Sequence, residues 1–114
     1  MKPFKIEDVT FAVKAEAEFI PVRGNLIDSG DSVFNEYCED LVLDQLVKNN
    51  QWAWCTIEVT ATWEGIKGVD TLGACSYDSE MAFRACDTYN DMRNRAYENL
   101  LEQIMKSNKF TITY

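Results

Sequence analysis

The chain has 114 residues, 46% of them hydrophobic and 12% aromatic, which is the composition of one globular domain spanning residues 1–114 and not of a disordered acidic tail. Nineteen acids against 11 bases give a formal charge of −8, with no dense basic cluster, so direct binding to nucleic acid by phosphate neutralisation is not expected. Histidine is absent and the four cysteines (Cys38, Cys55, Cys75, Cys86) form no CxxC pair, which removes His-dependent nucleophiles and zinc-knuckle spacing.

In chain order, Phe11, Val13, Ala15, Ala17 and Phe19 alternate with Ala12, Lys14, Glu16 and Glu18 as a first strand, which Pro21 ends. The loop Pro21–Gly30, PVRGNLIDSG, holds two glycines and an asparagine, all turn formers. Asp31 or Ser32 can cap a helix running to about Asn49, with Phe34, Tyr37, Cys38, Leu41 and Val42 as its inner stripe. From Cys55 to Trp63, strict alternation of apolar residues with Thr and Glu predicts a half-buried strand. The segment Glu64–Gly68 turns it back into a hairpin partner, Val69–Tyr77. A cap at Asp78 or Ser79 opens a short turn to Arg84, and Asp87 starts a long helix ending near Ser107. Its inner face reads Tyr89, Met92, Ala96, Leu100 and Ile104. The tail Lys109–Tyr114, KFTITY, alternates again and reads as an edge strand or a tail. The order β-α-β-β-α(-β) predicts an α+β fold, an antiparallel sheet of three to four strands with two helices on one face. A ferredoxin-like split βαβ is one arrangement that fits.

Two candidate surfaces stand out. On the first helix Glu36, Asp40 and Asp44 lie at four-residue spacing, where like charges oppose helix formation, with Leu43 and Val47 among them. This pattern suits a partner-binding patch for a protein with a basic surface; the plain alternative is a solvated acidic helix whose aliphatics the preceding loop covers. Arg23 and Asn25 in the glycine-bearing loop, with Trp52 and Trp54 on one strand face, form an alternative ligand-binding set, for a nucleotide signal for example. Against it, Arg23 can pair with an acid and the tryptophans can close the core. No spacing singles out an acid–base pair, a catalytic residue, a metal site or a cofactor motif, so the chain reads as non-enzymatic. No apolar run approaches a membrane span, and the expected location is a bacterial host cytoplasm, with no membrane partner. The cysteines read as small buried hydrophobes in a reducing compartment.

At IPVRGN (Ile20–Asn25), SGD (Ser29–Asp31), WAW (Trp52–Trp54), VTATW (Val59–Trp63), LGACSY (Leu72–Tyr77) and YNDM (Tyr89–Met92), the chain resembles a family of small proteins of bacteriophages, prophages and integrative elements. The likeness spans roughly residues 15–105 and brings no catalytic residue or cofactor with it. It implies a mobile element acting inside a bacterium, where small acidic proteins often block a CRISPR effector or restriction enzyme. The resulting expectation is an anti-defence inhibitor that binds a host protein. The alternatives are the small-ligand binder and a phage accessory or structural subunit, homodimeric or part of a larger complex.

Overall fold

The computed structural model describes the backbone of residues 3–112 and the side chains of residues 3–107. The fold is α+β, with one three-stranded antiparallel sheet and helices. The elements follow as β1 (Thr10–Ala17), α1 (Ser32–Val47), β2 (Cys55–Trp63), β3 (Ile66–Cys75), α2 (Glu80–Arg84) and α3 (Asp87–Ile112). Single 3-10 turns at Ile6–Asp8 and Gln51–Ala53 precede β1 and β2.

The sheet runs β1-β2-β3, with β2 in the centre. A split βαβ would centre β3 instead. The placement follows from side chains: Cys55, Ile57, Val59, Ala61 and Trp63 are all 2% exposed or less, whereas Thr71–Ala74 of β3 lie open, as suits an edge. The hairpin turn is only two residues long. Glu64 and Gly65 both have positive φ (48° and 79°), the combination of a tight I′ turn whose twist matches the strands. Gly68, read as part of the turn, lies inside β3.

The chain divides into two compact units, and each strand gives residues to both. The first comprises Met1–Lys14, Glu58–Thr71 and Asp87–Tyr114. Here the α3 stripe Met92, Ala96, Leu100 and Ile104 is buried, as its three-to-four spacing predicts. A Cβ on Gly68 would stand 2.1 Å from the Leu100 amide nitrogen and 2.3 Å from the Ala96 carbonyl oxygen, so helix and strand backbones meet where only glycine fits. One residue on, the Val69 N–H donates to Asn99 Oδ1 at 2.9 Å. Phe4 packs edge-on against Trp63, with ring centroids 5.4 Å apart.

The second unit comprises Ala15–Ile57 and Leu72–Cys86. Phe83 of α2 is fully buried, with Trp52 stacked on it at 5.7 Å and Tyr77 meeting it edge-on at 5.1 Å. Beyond β1, Glu18 ties three segments together. Its Oε2 accepts from Thr56 Oγ1 (2.6 Å) and the Ala74 N–H (2.8 Å), and its Oε1 from the Ile20 N–H (3.2 Å). Ala74 has φ +54°, a conformation alanine rarely adopts, and the carboxylate receives the N–H that this conformation presents.

Two expectations are corrected. Phe19 lies past the end of β1 and is 97% exposed, because the chain leaves the sheet at Ala17. Residues 109–112 continue α3 and form no strand. No glycine or proline interrupts the chain after Ser107, and each further helical residue adds a hydrogen bond without needing a strand neighbour. The last two residues of the expected strand lie outside the described residues.

Candidate protein-binding face on helix α1

Helix α1 begins where the sequence says. The Asp31 side chain accepts from the Val33 and Phe34 N–H groups at 3.0 and 3.2 Å. It ends in a Schellman turn, with Asn49 at φ +66°, the Asn49 N–H on the Leu46 carbonyl and the Asn50 N–H on that of Gln45.

Its rotation about its own axis differs from expectation. The expected inner residues Phe34, Tyr37 and Leu41 are exposed at 47%, 61% and 52%, and Val33 at 76%. Cys38 and Val42, from the same expected stripe, are half-buried together with Asn35, Leu43 and Leu46, and Glu39 is buried. Polar contacts from the Pro21–Gly30 loop fix this. Ser29 donates to Asn35 Oδ1 from its N–H (3.2 Å) and its hydroxyl (2.6 Å). One helical turn on, the Glu39 carboxylate accepts the Gly24 N–H at 2.7 Å and the Arg23 guanidinium at 3.2 Å. Asn35 and Glu39 lie at i and i+4, on one face, so the loop holds that face inward. The aromatic stripe then points to water.

The expected acidic patch divides accordingly. Asp40 is exposed, but its carboxylate pairs with Arg23, which thus bridges Glu39 and Asp40. Asp44 pairs with Lys48 at 2.9 Å. Glu36 is exposed and has no ion pair among the described residues. Val47 is 81% exposed, while Leu43 is half-buried and belongs to the inner side. The outward face is therefore Val33, Phe34, Tyr37, Leu41 and Val47, interleaved with Glu36, Asp40 and Asp44. The stretch 20–48 carries six acids and two bases, so this surface stays negative after both ion pairs are counted. Beside Leu41 a shallow cleft of about 120 Å³ opens between Val42, Asn50, Ser76 and Tyr77.

The alternative ligand set is not assembled. Both Arg23 terminal nitrogens are taken by carboxylates, which raise its pKa further, and the Gly24 N–H is spent on Glu39. Asn25 folds back on the Pro21 and Arg23 carbonyls at 2.8 and 3.2 Å. Trp54 is 4% exposed and its indole N–H donates to the Ile20 carbonyl at 2.7 Å. Trp52 is half-buried against Phe83. The Trp54 indole is buried, and Phe83 covers one face of Trp52.

Burial pushes the Cys55 thiol up to about 11 and raises that of Cys75, so both favour the protonated form at neutral pH. Among the described residues, no cluster of His, Cys, Asp or Glu could hold a metal ion, and no helix is long and apolar enough to cross a membrane. Sequence reading missed two things here, the buried Glu39 and the outward aromatic stripe. The available signal was that apolar residues occur on both sides of the helix, so periodicity alone left its rotation undetermined.

No family model, curated protein or solved structure matches the chain.

Proposed function

We propose that the protein is a non-catalytic inhibitor of a host protein, in the setting of a phage or mobile element, and that it docks through the outward face of α1. The observation that carries this reading is the run of five large apolar side chains exposed along one helix, Val33, Phe34, Tyr37, Leu41 and Val47, at 47–81%. A helix that anchors a core buries such residues; one that presents them is built for a groove on a partner. Tyrosine and phenylalanine, with a side-chain-sized cleft beside Leu41, are the usual components of an interface hot spot. The occupant is a protein whose apolar groove has a basic rim, since the face is acid-rich and the whole chain carries −8. A nuclease or CRISPR effector has that character in its substrate groove, and the mobile-element resemblance supports such a target.

The test uses bacterial strains carrying one defined restriction or CRISPR system each, with phage plating efficiency as readout. Expression of the protein restores plating in at least one strain. The Phe34→Ser/Tyr37→Ser/Leu41→Ser variant does not, although its circular dichroism and melting temperature match the parent. Asp40 is left intact because it holds Arg23. Undiminished rescue by the triple variant would refute the α1 face. An absence of rescue in every strain would refute the anti-defence reading. A parent that sediments as a dimer and a variant that sediments as a monomer would assign the face to self-association instead.

A further inference from the structure

The first unit contains a cleft of about 370 Å³, within the size range of small-molecule sites. Its walls are apolar or aromatic: Ile6 from the turn before β1, Phe11 from β1 and Tyr97 from α3. Three polar side chains share it, Glu7, Arg93 and Asn94.

Arg93 is the informative one. Its guanidinium carbon lies 4.3 Å from the centre of the Phe11 ring, a cation–π contact that holds the group in place and leaves its N–H fork available. Two residues on, Arg95 is paired with Asp70 at 3.1 Å. Arg93 has no carboxylate partner among the described residues, although Glu7 lines the same cleft. Among the described residues Glu7 likewise has no cationic partner, and the Asn94 side chain no hydrogen bond. A cation and an anion thus face one apolar-walled cleft without joining.

We propose that this cleft binds a small zwitterion with an apolar body, of the chemistry of a free aromatic or branched-chain amino acid. Arg93 and Asn94 take the carboxylate, Glu7 takes the ammonium, and the side chain lies among Ile6, Phe11 and Tyr97. A simple anion would meet Glu7 and the −8 charge of the chain, and a simple cation would meet Arg93. Only a ligand carrying both charges satisfies both groups, and charge-assisted bonds of this kind add the most affinity.

The experiment is an amide-resolved NMR titration of the full chain with L-phenylalanine, 3-phenylpropionate and phenethylamine, each to about 10 mM. Saturable shifts at Glu7, Phe11, Arg93, Asn94 and Tyr97, strongest with L-phenylalanine, are expected. Arg93→Gln and Glu7→Gln, both exposed positions, should each weaken binding about tenfold while the rest of the spectrum is unchanged. No saturable shift with L-phenylalanine would overturn the proposal. So would tighter binding of either single-charge analogue, or an unchanged affinity in Arg93→Gln. None of these results depends on the α1 face.

Discussion

Glu18 joins three separate segments through one carboxylate. Three donors, the Thr56 hydroxyl foremost and then the Ala74 and Ile20 N–H groups, hold its carboxyl at about 2, below the ordinary value of 4.5. A depressed folded-state pKa contributes stability that is complete above the unfolded-state value and is lost as pH falls from about 4.5 toward 2. Glu18→Gln should therefore lower the melting temperature at pH 7 and flatten its decline below pH 4.5, because the variant has no proton to take up at that position. Equal acid sensitivity of parent and variant in melts at pH 7, 4 and 3 would show that Glu18 does not govern the acid limb. Gly68 gives a second residue-scale prediction, with an internal control. Gly68→Ala must push the α3 backbone away from β3 and should cost about 1–3 kcal/mol or more in urea unfolding. Gly65 has nothing within 4 Å of a notional Cβ and strains only through its φ of +79°, so Gly65→Asn, a residue that tolerates such angles, should cost less.

At the scale of elements, α1 has an inward side that carries stability and an outward side that is the proposed docking face. Its inward side is held by Glu39, and Glu39→Ala strands the Gly24 N–H and leaves Arg23 with Asp40 as its one carboxylate partner, so the loss should be about 1–3 kcal/mol. Asp31→Ala removes the cap and should cost about 1 kcal/mol. Serine at Phe34, Tyr37 and Leu41 removes side chains that face water and should change stability by at most about 0.5 kcal/mol each. Chemical denaturation of these variants checks the whole assignment, since a core-facing stripe would reverse the ranking. The same helix shows where the sequence is legible and where it is not. Strand β2 was readable because its apolar residues occupy one face only, at period two, and the α3 stripe because Met92, Ala96, Leu100 and Ile104 recur at four-residue spacing. Both ends of α1 were readable too, the cap chemistry being local. Its rotation was not: both sides carry aliphatics, and the decision rests on Ser29 and Gly24, in a loop whose contacts no periodicity encodes. Trp54 is a similar case, buried because its N–H finds the Ile20 carbonyl 34 residues away. Residues 109–112 of the tail show the converse error, where a genuine alternation was outweighed by continuation of the preceding helix.

For the whole molecule, charge supplies the remaining prediction. A chain at −8 approaches a basic partner faster than an uncharged one, and this attraction is screened over about 8–10 Å at physiological salt. The acids on the α1 face cannot all contribute equally. Asp40 and Asp44 each have a cation beside them, whereas Glu36 has none among the described residues. Long-range steering depends on net charge, while the rate of escape depends on the desolvated apolar anchors. With a purified target, Glu36→Lys should therefore slow association several-fold and reduce its dependence on ionic strength, leaving dissociation nearly unchanged. Leu41→Ser should do the opposite, speeding dissociation at a constant association rate. Stopped-flow or surface-plasmon kinetics at 50 and 300 mM salt distinguish the two, and if both variants altered only dissociation, the acidic residues of α1 would be packing groups and not steering ones.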